Sequence, residues 1–114
     1  MEFYYRTYFS EELRDKKARL IRRLTQNKVP HDIYIVTLSQ GIQNHLEFFP
    51  GWMLKQRIFK SENLFIVGVA SDYNGALHLV EMIADEVYQK TGDADIRSYI
   101  LREQIAYKEG KRTV

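Results

Sequence analysis

Apolar and polar positions change rhythm along this chain, and each change marks an element. From 64 to 70 (LFIVGVA) every residue is apolar or glycine, so an extended segment would be buried on both of its faces. Residues 33–38 (IYIVTL) repeat that pattern in a short β-branched and aromatic run. Ala76, Leu77, Val80, Ile83, Ala84, Val87 and Tyr88 then return every three or four positions, which is the period of an α-helix with a wide apolar stripe. Leu13, Leu20, Ile21 and Leu24 do the same earlier on, with Lys17 falling inside the stripe and reaching out past its edge.

Local signals set the ends. Ser10, followed by Glu11 and Glu12, suits a helix N-terminus, and Pro30 takes Val29 out of helical geometry, so the first helix stops near 26–28. Ser71 or Asp72 caps the second helix, and Gly92 suits its left-handed C-terminal position. Aromatic-rich residues 3–8 (FYYRTY) predict a first strand, and 96–101 (IRSYIL) reads as a closing strand, with Asp93 and Asp95 in the turn before it. Residues 102–109 allow a short helix, and 110–114 read as a loose tail.

The order β-α-β, an excursion, then β-α-β predicts one α+β domain over residues 1–114. It is a split β-α-β, ferredoxin-like two-layer sandwich. Its sheet is mainly antiparallel, its two helices share one face, and 40–62 form a hairpin-like insertion. Two places in that insertion can turn or pair, one at Pro50-Gly51 and one between 54–59 and 64–70. Such a sandwich leaves one sheet face without helices, yet the strands at 33–38 and 64–70 have no polar face to offer water. Either the insertion or a second copy of the chain must cover them, which makes a homodimer packed through the sheet an expectation.

Charge sharpens this picture. The net charge of +2 conceals +4 over residues 1–30, −5 over 72–95 and +3 over 96–114. Two helices side by side, one basic and one acidic, would be complementary within one molecule. Glu12–Lys16 and Asp15–Arg19 also have the spacing of intrahelical pairs. Arg22 and Arg23 lack such a partner. Arg19, Arg22, Arg23 and the basic tail are therefore the candidate contacts to nucleic-acid phosphates. The RNA-recognition pattern of basic, glycine and aromatic residues does not occur in the strand at 64–70.

The chain has no cysteine, which excludes disulfides, zinc–thiolate sites, iron–sulfur clusters and cysteine nucleophiles. Its first residues lack the apolar stretch of a secretory signal, and no apolar run approaches the roughly 18 residues that span a membrane. A cytoplasmic protein with no membrane segment is the expectation.

Candidate chemistry is sparse. The loop Ser71, Asp72, Asn74, Gly75 joins a strand end to a helix N-terminus, where anions can bind, but it holds one glycine and no phosphate-loop lysine. A small-ligand pocket or enzyme site would use that loop with His45 as its acid–base group. His31, His45 and His78 match no metal-ligand spacing, although His78, Glu81 and Asp85 lie one turn apart on a polar helix face. No catalytic set, cofactor motif or metal site assembles from spacing. Phe48, Phe49 and Trp52 bracket Pro50-Gly51, and large aromatics in a connecting segment are candidate partner anchors. The pattern thus points first to a non-catalytic interaction or regulatory domain that self-associates. A nucleic-acid-binding protein and a small-ligand-binding protein or enzyme are the alternatives.

Overall fold

In the computed structural model, described over residues 1–30, 32–39, 45–55 and 64–112, the chain is α+β with strands and helices interleaved. Strand β1 (Glu2–Phe9) leads through a 3-10 segment (Glu11–Lys16) into helix α1 (Lys17–Thr25). Strands β2 (Tyr34–Leu38) and β3 (Leu46–Pro50) follow, then a second 3-10 segment (Gly51–Lys55) and strand β4 (Phe65–Ala70). Helices α2 (Tyr73–Thr91) and α3 (Ile96–Arg112) close the chain. The four strands form one mixed sheet in the order β1-β4-β2-β3, with β1 parallel to β4 and the other two pairs antiparallel.

The doubly apolar strands are the central ones. Ile35, Val36, Ile66, Val67, Val69 and Ala70 are all fully buried. Val36 and Val67 pack with Leu79, Ile83 and Val87 of α2 and Ile96 and Ile100 of α3. Ile35, Ile66 and Val69 pack on the other face with Leu20 and Leu24 of α1, Leu13 of the first 3-10 segment and Leu54 of the second. The sheet therefore lies between two helical layers.

That arrangement corrects the expected sandwich. The two helices at 17–25 and 73–91 do not share a face, and the sheet is mixed rather than mainly antiparallel. Among the described residues, the molecule's own helices and 3-10 segments cover both faces of the central strands, so the reason for expecting a second copy there falls away. The insertion contributes a strand, β3, and Leu54. Its pairing is with β2 (Ile35 opposite Phe49, Thr37 opposite Glu47) and not with itself around Pro50-Gly51. The alternative pairing of 54–59 with 64–70 falls partly outside the described residues.

The predicted closing strand is the first half of α3. Ile96, Tyr99, Ile100 and Gln104 are buried at helical spacing, a period that six residues read as a strand do not display. Asp95 is the reason the helix starts there. Its carboxylate accepts from the Ser98 amide at 3.0 Å and the Ser98 hydroxyl at 2.7 Å. The helix continues to Arg112, so 110–112 are helical rather than part of a tail.

Bulges change which face a residue reaches. Val36 pairs with Gly68 and Thr37 with Ile66, so β4 carries one extra residue at Val67. Strict alternation puts Val69 with Val67. The bulge puts Val69 with Ile66 instead, under α1. Strand β1 is bulged more strongly, since its pairing with β4 shifts between Phe3 and Tyr8.

The remaining ends follow the expected chemistry with one exception. Asp72 caps α2 by accepting from the Gly75 amide at 2.7 Å, and Gly92 closes it at φ 71°. Asn27, at φ 61°, ends α1 as Lys28 N–H donates to the Arg23 carbonyl and Asn27 N–H to that of Leu24. Ser10 is the exception. Its hydroxyl caps no helix and instead accepts from the Ser71 amide at 3.0 Å, which ties the parallel ends of β1 and β4 together.

Candidate nucleic-acid interface

Residues 14–28 carry seven basic side chains (Arg14, Lys16, Lys17, Arg19, Arg22, Arg23, Lys28) and one acidic one, Asp15. The apolar stripe of α1 faces the sheet through Leu20 and Leu24, which turns its Lys17, Arg19, Arg22 and Arg23 outward, and Arg14, Lys16 and Lys28 on either side of it are exposed as well. No ion pair reaches any of them among the described residues. The expected pairs Glu12–Lys16 and Asp15–Arg19 are absent for a geometric reason. Residues 11–16 are 3-10 helical, with about three residues per turn, so positions four apart do not stand one above the other. Glu12 turns instead to the Ser71 hydroxyl, 2.8 Å away, a hydrogen bond that holds its carboxyl below the ordinary range.

The acidic helix does not neutralise this layer. Helix α2 and the residues flanking it (72–95) hold six acidic groups against one basic. They lie across the sheet from α1, and packed helices about 10 Å in diameter on each side put the two axes on the order of 20 Å apart. Facing charges at that separation make no ion pairs. The molecule is therefore polarised, with a basic α1 layer and an acidic α2.

Shallow grooves run along the basic layer. One of about 500 Å³ is lined by Lys16, Arg19 and Arg22 with Asp15 and Ala18. Another of about 170 Å³ lies between α1 and the strand ends, with Lys16, Arg19 and Arg23 on its wall beside Asp32. A third of about 510 Å³ follows the bulged edge of β1, lined by Arg6, Arg14 and Lys17 among Tyr4, Tyr5 and Tyr8. Lys17 extends over the Phe9 ring, its Nζ 5.7 Å from the centroid, so its stem covers the apolar edge while its charge stays outside.

Among the described residues, Arg6 is the one cation of these grooves with an ion-pair partner. Glu86 of α2 accepts from Arg6 Nη2 at 2.9 Å and from the Tyr8 hydroxyl at 2.6 Å, and Lys90 Nζ lies 3.3 Å away. Burial alone would raise the Glu86 carboxyl, but the hydrogen bonds from Tyr8, Arg6 and Lys90 outweigh it and hold the group below the ordinary range. Burial, with the Glu86 hydrogen bond second, pushes the Tyr8 hydroxyl well above its ordinary value, so it is a fixed donor and not a base. This cluster staples the bulged edge strand to α2. Sequence reading missed it because its members are about 80 residues apart.

The other candidate residues separate. Ser71, Asp72, Asn74 and Gly75 form the N-terminus of α2, whose Gly75 amide is satisfied by Asp72, with Glu12 adding a second carboxylate nearby. His45 lies at the other end of the sheet. Its carbonyl accepts from the Ser39 amide beyond the end of β2, whereas Ala70 pairs with Tyr34 at the start of β2. Counting about 3.3 Å per residue along the strands separates His45 from Asp72 by roughly 20 Å. One pocket cannot use both. His31 lies outside the described residues, His78 is exposed on α2, and among the described residues no group of three metal-ligating side chains comes together.

The aromatic trio divides as well. Phe48 packs with Tyr34 and Tyr73 on the α2 side and Phe49 joins the α1-side core, so β3 itself lies between them. Trp52 stays exposed at 46%. Among the described residues no helix is long and apolar enough to cross a membrane. No protein-family model, curated protein or solved structure matches this chain, so its own geometry carries the functional reading.

Proposed function

We propose that this chain is a non-catalytic binding module whose α1 layer engages the phosphate backbone of a nucleic acid, with Lys16, Arg19, Arg22 and Arg23 as its central contacts. One observation carries the reading: seven exposed cations stand on a single layer without an ion pair among the described residues, while the helix expected to neutralise them lies across the sheet. A solvated surface helix ordinarily mixes both signs. This one carries no acid between Lys17 and Thr25, and its last turn places Arg22 and Arg23 at the negative end of the helix dipole, which helps hold α1 folded while their charges point out.

Counterion release makes the reading quantitative. Four phosphate contacts give a slope of log K against log salt of about −2.8 on a single strand, at about −0.7 per contact. Affinity then falls about 50-fold between about 50 mM and about 200 mM salt. Fluorescence anisotropy with a labelled oligonucleotide measures this directly. Arg22→Glu/Arg23→Glu should abolish binding at low salt while leaving the thermal midpoint within a few degrees, because both side chains are exposed. Affinity that is flat in salt, or unchanged in that variant, sinks the proposal.

A further inference from the structure

The 3-10 segment docked against the end of α1 carries one unshielded aromatic ring. Among the described residues, the other exposed large apolar side chains (Tyr73, Leu77, Met82, Tyr88, Ile105 and Tyr107) all lie on α2 or α3, in the opposite layer. Trp52 alone belongs to the α1 side. It sits in the 3-10 segment whose Leu54 packs with Leu20, Leu24 and Val29, and whose Gly51 amide donates to the Ile33 carbonyl at 2.8 Å. Gly51 is packed so closely that a methyl group there would come within 2.8 Å of a Val29 side-chain carbon. Val29 directly follows Lys28, so the segment bearing Trp52 is anchored at the end of the cationic strip. Lys55, also exposed, adds a further charge beside it.

Of the β1 aromatics, Tyr5, Tyr8 and Phe9 are already engaged. Tyr5 stacks on Tyr107 at 4.4 Å, Tyr8 faces Tyr4 at 6.3 Å with Arg6 over its ring, and Phe9 lies buried beneath Lys17. Indole offers the largest apolar face of any side chain, and leaving it 46% in water gains nothing for the fold. An exposed ring on a segment docked at the end of a cationic helix is an arrangement that can hold single strands, since bases freed from a duplex stack on aromatic faces without regard to sequence. A duplex buries its base faces and cannot use the ring.

We infer that Trp52 is a base-stacking platform, and that the nucleic acid bound by this face is single-stranded, with its phosphates on the α1 cations and one base against the indole. This rests on the nucleic-acid reading above and narrows it to one class of strand.

The chain contains a single tryptophan, so its intrinsic fluorescence reports on this position alone. The intact protein is titrated with an oligothymidylate and, separately, with a duplex of equal length, each followed by tryptophan emission and by anisotropy of a label on the nucleic acid. The single strand should quench the emission in step with binding, and the duplex should not. Trp52→Ala should weaken single-strand binding between about fivefold and about a hundredfold, the contribution of one stacked base, and change duplex binding less than about twofold. Trp52→Phe should recover most of the loss, and unchanged urea midpoints show that both variants are folded. Binding of the single strand with unaltered emission, or equal weakening of both ligands by Trp52→Ala, overturns the stacking role while leaving phosphate binding standing. Absence of binding to either nucleic acid at low salt, with binding to anionic phospholipid vesicles in its place, overturns both readings.

Discussion

Gln104 of α3 closes an edge that the sheet would otherwise leave open, and replacing it tests how the edge strand is held. Strand β1 is at one end of the sheet, so alternate backbone groups on its outer side lack a neighbouring strand. The Gln104 side chain, only 6% exposed, supplies one in miniature. Its Oε1 accepts from the Tyr5 amide at 2.8 Å, and its Nε2 donates to the Phe3 carbonyl at 3.0 Å, as a backbone peptide group would. Lys108, one turn on, pairs with Glu2 at 2.6 Å. Gln104→Met keeps the length and most of the volume and removes both of these hydrogen bonds, together with a longer one that Nε2 donates to the Glu2 carboxylate at 3.3 Å. Each contributes about 1 kcal/mol net, and leaving partly buried backbone groups unpaired adds to that, so the loss should be about 2–3 kcal/mol. At about 2.1 cal/mol/K of unfolding entropy per residue, the thermal midpoint should fall by about 10 °C. Urea unfolding should show the same loss with an unchanged slope, and the Tyr5 amide should exchange with solvent faster by native-state hydrogen exchange. A midpoint within about 2 °C of the parent, a shift worth about 0.5 kcal/mol, or unchanged Tyr5 protection, would show that the edge does not depend on this side chain.

Further predictions follow from other contacts. Ile83→Ala empties a fully buried position between α2 and the sheet and should cost about 2–5 kcal/mol by urea denaturation; a loss under about 1 kcal/mol would mean the core closes over the gap. Gly92→Ala forces a side chain into the left-handed region at φ 71° with no steric neighbour involved, so a loss of about 1–2 kcal/mol from backbone conformation alone is expected. The Glu86 carboxyl is held below its ordinary value of 4.5, so the stability it contributes is complete above that pH and is lost as pH falls through the folded-state value. Glu86→Gln should therefore be less stable than the parent at pH 7 and show a shallower loss on acidification, a residual slope remaining from Glu2, Glu12 and Asp95; a slope equal to the parent's would remove the Arg6–Tyr8–Glu86 staple from the account.

Local chemistry read from residue order proved sufficient for single elements. Apolar runs at 33–38 and 64–70 are strands covered on both sides because no residue in them can face water without loss. The stripe from Ala76 to Val87, capped by Asp72 and closed by Gly92, is a helix because spacing, cap and left-handed stop act within a few residues of one another. Residues 96–101 were misread because a short run mixing Ile, Tyr and Leu satisfies both periods. Only its docking against α2 and the β1 edge, together with the Asp95 cap, selects the helix. The candidate site was legible to a similar extent: Arg19, Arg22 and Arg23 were visible as cations without local partners, whereas Trp52 could not be told from its neighbours Phe48 and Phe49.

Periodicity says that a face is buried but not by which element, and that distinction decided the rest. The side of the sheet on which each helix packs depends on how β1, β2 and β4 are ordered, and pairings between residues about 30 to 60 positions apart set that order. Tertiary structure alone placed the basic and acidic helices on opposite layers, which separated charges that the chain order suggested would cancel. It also carried Phe48 and Phe49 to opposite faces of β3 and left Trp52 in water on a segment docked against the end of α1. Amino-acid order thus determined the first strand and the two central ones, most of the helix ends and the charge of each segment, because those follow from interactions within a few residues. The fold determined what those charges face, because an electrostatic partner is a matter of distance in space.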